Sequence, residues 1–246
     1  MTARSLTDTY GLCYRRAHEA GARPGETLLT YGFRDGSSYS EDVATYFGGP
    51  ESFWRVDTMA CALATGRVLA VGCGIGRHAA EVARAGHEVI GLEPSEDAVA
   101  VGRARGVDVR LGGLPHPPPD LGRFDTLLFA GGGLHLLFLP GFGSKVLTAL
   151  ADLANPGARL VGTCPVLPEE EAPEAQGADT YEYRLRVECG DEVTEWSEWG
   201  AATLHGPEQL DALVEDTPWV VEEVRRLEPP DVPSYLAVLR LTEAGR

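Results

Sequence analysis

Three glycines at alternate positions, Gly72, Gly74 and Gly76 in "VLAVGCGIGRHA", follow a short apolar run and precede a helical pattern. A strand that enters such a turn and leaves it as a helix builds a crevice lined by backbone N–H groups, which accepts anions or nucleotides. The dinucleotide fingerprint places its third glycine one residue later, where this chain has Arg77. The tighter spacing suits a ligand that lays a ribose and an amino-acid tail on the backbone, without a pyrophosphate to cradle. Glu93 ends the next apolar run, "HEVIGLE", 21 positions after Gly72. A carboxylate there can accept hydrogen bonds from both ribose hydroxyls. His135 follows a further glycine run, Gly131–Gly133, and an imidazole near its ordinary pKa suits proton abstraction from a hydroxyl or ammonium group. Its alternative is a packed histidine within the apolar run "LHLLFL". His78, just beyond the first loop, reads as a packing or capping residue.

The elements that must carry these residues alternate from Arg67 onward. Apolar runs predict strands at 67–71, 87–92, 107–111, 124–130 and 158–163, and helical patterns predict helices near 76–85, 95–105 and 142–154. Strands separated by helices of this length imply a parallel sheet covered on both faces. Ser95 with Glu96 and Asp97 makes a good helix start, and Gly106 a good stop.

Ahead of this core, residues 1–65 read as an N-terminal helical cap. "TDTYGLCYRRAHEAG" is an amphipathic helix closed by Gly21, and helices are also expected from Ser40 and from Pro50. "RPGETLLTYGFRDGSSYS" reads as irregular. Residues 66–246 form the second unit, interrupted at about 164–204 by a mobile loop (164–180) and a β-hairpin turning at Gly190–Asp191. A helix from Pro207 and an antiparallel strand pair at 219–242 complete the chain.

The chain of 246 residues carries a net charge of −16, and its arginines are dispersed rather than gathered in a stripe. Such a surface repels phosphate backbones, so a small molecule is expected as partner and nucleic acid is not. Nothing approaches the roughly 18–20 consecutive apolar residues of a membrane span, and the N-terminus lacks the apolar stretch of a secretion signal. A cytoplasmic protein without membrane association is therefore expected. Five cysteines, all singly placed, offer neither a disulfide framework nor paired zinc ligands, so no metal is expected.

The stretches "VLAVGCGIGRHA", "GHEVIGLEPSEDAV" and "FDTLLFAGGGLHLL" resemble the class I S-adenosylmethionine-dependent methyltransferases, over roughly Tyr46 to Gly162. The resemblance implies an α/β, Rossmann-like fold with a mostly parallel seven-stranded sheet. It further implies S-adenosylmethionine as methyl donor, with S-adenosylhomocysteine as its product. By that resemblance Gly72, Cys73, Gly74 and Gly76 line the donor, Glu93 holds its ribose and Pro94 flanks adenine. Leu114, Ala130 and Gly131 complete the contacts, and Tyr46 stands over the donor's carboxylate. Tyr46 and His135 are then the candidates for a catalytic role, with a buried aromatic as the alternative for Tyr46.

Three positions depart from the family pattern. Ala70 stands where an acidic residue usually supports the donor's ammonium group. Gly112–Gly113 replaces a segment that often holds an Asp for the adenine amine, and Gly131–Gly132 replaces a Gly-Asn pair. The expected activity is methyl transfer to an oxygen or nitrogen of a small molecule such as a secondary metabolite. The rival is the same fold turned to a cyclisation, a rearrangement or ligand binding without methyl transfer. Tyr181, Tyr183, Trp196 and Trp199 would either wall an acceptor pocket or bury the contact of a homodimer.

Overall fold

The computed structural model describes residues 3–139, 141–166 and 178–242. In chain order its elements are α1 (Leu6–Glu19), β1 (Thr27–Phe33), β2 (Ser38–Asp42), α2 (Arg55–Ala62), β3 (Val68–Val71), α3 (Arg77–Arg84), β4 (Val89–Glu93), α4 (Glu96–Ala104) and β5 (Val109–Leu111). They continue as β6 (Phe124–Phe129), α5 (Gly143–Asp152), β7 (Ala154–Pro165), β8 (Ala178–Cys189), β9 (Glu192–Val193), β10 (Gly200–His205), α6 (Leu210–Val214), β11 (Trp219–Leu227) and β12 (Ser234–Leu241).

A seven-stranded sheet in the order β11-β12-β7-β6-β3-β4-β5 forms the centre. Its five strands from β7 to β5 pair in parallel, and β12 pairs antiparallel with both β7 and β11. β3 and β6 are neighbours, but the chain leaves β3 toward β4 and returns to β6 from β5. This reversal opens a crevice at the carboxyl ends of β3 and β6, the place where open α/β sheets bind ligands. The sheet is apolar because it is covered: all four residues of β3 are buried, and Leu69, Leu127, Phe129 and Leu160 share one core with Trp219 and Tyr235. Trp219 satisfies its ring N–H on the Leu147 carbonyl at 2.8 Å, so its burial leaves no polar group stranded.

The segment expected to be irregular is instead a β-hairpin. Phe33 N–H donates to the Ser37 carbonyl across Asp35–Gly36, and Gly36 takes φ +87°, a hairpin turn signature present in the sequence. The N-terminal region is therefore a helix, a hairpin and short turns rather than helices throughout. β1 pairs with β8, so the N-terminal hairpin and the later insertion merge into a second, antiparallel sheet in the order β10-β8-β1-β2, with β9 also on β8. Leu29, Leu185 and Val187 on one face of this sheet pack against Leu12, Cys13 and Tyr14 of α1. The expected hairpin turn at Gly190–Asp191 is present, but its return arm pairs in two short pieces. The Ser40 helix start is replaced by a 3-10 turn, Val43–Phe47, capped by Asp42. The mobile loop expected at 164–180 falls largely on 167–177, outside the described residues.

The aromatic residues expected to form one wall are divided between two faces. Tyr183 lies 5.8 Å from Tyr31 on the α1 side. Trp196 stacks on Arg184 and Arg186 on the opposite side, where it covers Gly32 so closely that a Cβ there would stand 2.8 Å from its ring. Trp199 stacks on Arg34 and Arg184. The Tyr181 side chain lies outside the described residues.

Candidate active site

β3 delivers the chain into the glycine loop with Gly72, Gly74 and Gly76 all at positive φ (59°, 55° and 80°), a path that side chains with a Cβ rarely follow. Glu93, at the end of the neighbouring β4, fastens the loop. Its Oε2 accepts the Gly74 N–H at 2.9 Å and its Oε1 accepts the Ser95 N–H at 3.0 Å. Burial raises the Glu93 pKa against the lowering effect of those two N–H groups. Each carboxylate oxygen keeps a second lone pair for a further donor. Pro94 lies beside Gly113, and Ser95 caps α4 by accepting the Ala98 N–H. Cys73 points its thiol toward Gly91 in the sheet, so only its backbone is offered to the crevice, and burial pushes that thiol above its usual range. Leu114 packs partly buried against the main core.

α1 and the turn before α2 close over the loop. Tyr14 lies against Gly74, and Tyr46 meets Tyr14 edge-on at 5.4 Å. The Tyr46 hydroxyl donates to Glu41 Oε1 at 2.7 Å, and Tyr31 donates to the same oxygen at 2.8 Å. Burial and the Glu41 charge raise the Tyr46 pKa well above its ordinary value, so the phenol stays protonated. Arg77, the first residue of α3, stacks over Tyr46 and Phe53.

On the other side of the crevice, β6 ends at Ala130 and Gly131. Gly131 N–H donates to Asp57 Oδ1 at 2.7 Å, and Thr163 Oγ1 donates to the same oxygen at 2.7 Å while accepting the Gly132 N–H at 3.1 Å. His135 lies in the 3-10 turn Gly133–Phe138, which packs against β10. Its Nδ1 is 2.7 Å from the Gly132 carbonyl. A proton on Nδ1 makes that bond and leaves Nε2 as the ring's acceptor. Burial lowers the His135 pKa, although the Gly132 contact opposes this.

Asp57 escaped notice in the sequence. It sits in the buried stripe Asp57, Ala60 and Cys61 of α2, and an acid at one position of an apolar stripe was the signal available. Beside it lies His78, whose ring meets Phe53 at 4.4 Å. Burial, and then Arg77, push the His78 pKa down to about 3, so the ring is neutral near pH 7. A histidine lowered in the folded state stabilises the fold above the unfolded pKa, and that stability is lost as pH falls through 6.5 toward 3. Replacing His78 by Phe is expected to remove about 2 kcal/mol of the stability lost between pH 7 and pH 5. Thermal melts of the two proteins should diverge by roughly 4–8 °C over that interval, and parallel curves would show His78 to titrate normally.

A family model described as a methyltransferase domain matches residues 68–157, from β3 into β7. That stretch, and not the rest of the chain, carries the likeness to a methyltransferase domain in sequence. A SAM-dependent methyltransferase from Bacteroides fragilis, in complex with S-adenosyl-L-homocysteine, matches at TM-score 0.68 and 20% identity over 98% of each chain. The CcbJ methyltransferase from Streptomyces caelestis matches at TM-score 0.59 and 21% identity over 80% of this chain and 98% of its own. DesVI from Streptomyces venezuelae matches at TM-score 0.57 and 18% identity over 78% and 94%. At these identities the likeness establishes the fold. No curated protein matches the sequence.

The domain brings together Gly72, Cys73, Gly74, Gly76, Glu93, Ala130 and Gly131 at one edge of the sheet. Among the described residues, no three His, Cys, Asp or Glu side chains gather to hold a metal ion, and no helix is long and apolar enough to cross a membrane.

Proposed function

We propose that this chain transfers a methyl group from S-adenosylmethionine to an oxygen or nitrogen of a small molecule. The observation that carries this reading is the glycine loop, held at the β3–β6 crevice by the Gly74 bond to buried Glu93. Glu93 would take the ribose hydroxyls, with Pro94, Gly113 and Leu114 on the adenine side. Backbone groups of Gly72, Cys73, Gly74, Gly76, Ala130 and Gly131 would face the methionine part. Arg77 supplies positive charge for its carboxylate. Tyr46, protonated and engaged by Glu41, serves as a wall of the donor cleft rather than as a base.

The donor supplies an activated methyl on a sulfonium, so the chain's own task is to align donor and acceptor and to exclude competing nucleophiles. His135 Nε2 would accept the proton of a hydroxyl or ammonium acceptor. The second sheet reaches the His135 turn through β10, where Phe138 stacks on His205 at 4.4 Å, so the insertion would shape the acceptor side. A natural product fits as acceptor, since the glycopeptide N-methyltransferase MtfA shares this fold at TM-score 0.57. Ala70 favours the rival reading of a fold turned to other chemistry or to ligand binding.

The test pairs calorimetry against S-adenosylhomocysteine with transfer of a radiolabelled methyl group to a panel of small amines, alcohols and phenols. Micromolar binding with label incorporation is expected. Label transfer to none of the panel, with tight binding retained, would favour the rival.

A further inference from the structure

Asp57 and Glu93 are the two buried carboxylates among the described residues. Both Glu93 oxygens accept backbone N–H groups, whereas Asp57 is half satisfied: Oδ1 takes two donors and Oδ2 takes none. His78 Nε2 stands 3.7 Å from Oδ2 and is likewise without a hydrogen-bond partner. A wholly buried carboxylate oxygen without a donor is costly and calls for a cation or a proton donor nearby. The His78 ring lies between this acid and a small cavity, which is also lined by Ala70, Val71, Gly72, Cys73, Leu128 and Ala130. Backbone, small or apolar groups form the rest of that lining. Ala70, through its small side chain, leaves the space at the end of β3 open.

We propose that Asp57 and His78 form the subsite for the cationic amino group of the donor, so that the acid absent at Ala70 is supplied from α2. This rests on the donor reading above. With Nε2–H turned to Asp57 Oδ2, neutral His78 presents the Nδ1 lone pair toward the cavity, and Asp57 supplies the countercharge behind it. The amino-acid tail of the donor is a zwitterion. Arg77 and His78 are adjacent at the start of α3, so opposite charges at the tail would meet Arg77 on one side and the Asp57–His78 pair on the other. Asp57 also holds Gly131 through its N–H, which couples the subsite to the backbone of β6 beside the crevice.

Two ligands and three variants test this by calorimetry: S-adenosylhomocysteine and its analogue lacking only the α-amino group, with Asp57→Asn, His78→Phe and Asp57→Asn/Ala70→Asp. Asn keeps an oxygen for Gly131 and Thr163, and Phe keeps the ring against Phe53. Both single variants should weaken S-adenosylhomocysteine by tenfold or more and leave the deaminated analogue within twofold of the unaltered protein. The double variant should recover at least half of the lost fold-change. Equal weakening of both ligands, or no weakening of either, overturns the subsite while leaving the donor reading intact. Failure of the unaltered protein to bind S-adenosylhomocysteine overturns the donor reading and the subsite with it.

Discussion

Replacing Glu93 by Gln should weaken S-adenosylhomocysteine binding by about 10- to 100-fold, while the protein still melts cooperatively. The size follows from the role proposed for the carboxylate. Hydrogen bonds from the two ribose hydroxyls to a charged, buried acceptor are worth about 1.5–3 kcal/mol each, and the amide keeps one acceptor oxygen without the charge. The amide NH2 would also face the N–H of Gly74 or Ser95 in place of one accepted hydrogen bond. The loop therefore loses one of its fastenings, which adds to the loss of ligand contact. Calorimetry with S-adenosylhomocysteine reads the effect directly. Unchanged affinity would remove Glu93 from the site and, with it, the observation on which the donor reading stands.

The central sheet was legible because its strands are short apolar runs punctuated by glycine, each followed by a helix with clear ends. β3, β4 and β6 lie within a residue or two of their expected places, since burial on both faces leaves little freedom in which residues may form them. The second sheet was hidden for the opposite reason. β1 is bounded by turn-forming residues and finds its partner β8 about 160 positions away, so nothing local to "TLLTYGF" records the pairing. Only the Asp35–Gly36 turn carried a local signal, and it points to a hairpin without saying what the hairpin joins.

The same division runs through the site. Gly72, Gly74, Gly76 and Glu93 were visible because a turn at positive φ and a strand-end acid leave marks on residue type and spacing. Asp57 was not, because its role arises from where α2 docks: against β7, α3 and the end of β6. Spacing along the chain shows an acid within an apolar stripe, but only the packed helix shows that one oxygen is left without a donor. Ala70 consequently changes meaning. Taken with its own strand it is a missing charge, whereas in the folded chain it borders a cavity lined by His78, which stands 3.7 Å from Asp57.

For His135 the expected result separates binding from chemistry. Once the acceptor is known, His135→Gln should lower kcat by about 10²- to 10⁴-fold, the range for loss of a positioned general base. S-adenosylhomocysteine affinity should change by less than a factor of about three, because in the proposed role the ring nitrogen serves the acceptor rather than the donor. The pH profile supplies a second readout. Burial lowers the His135 pKa below its ordinary value, and only the neutral ring can take a proton. The rate of the unaltered enzyme should therefore fall on the acid side along a limb centred below pH 6.5, and the variant should lack that limb. A variant that keeps both its rate and the limb would return His135 to the role of a packed residue of the 3-10 turn. The acceptor's own ionisation would then govern the profile. The Nδ1 bond to the Gly132 carbonyl makes the comparison sharp: it fixes the tautomer with Nε2 free, so a true base has one nitrogen for the task.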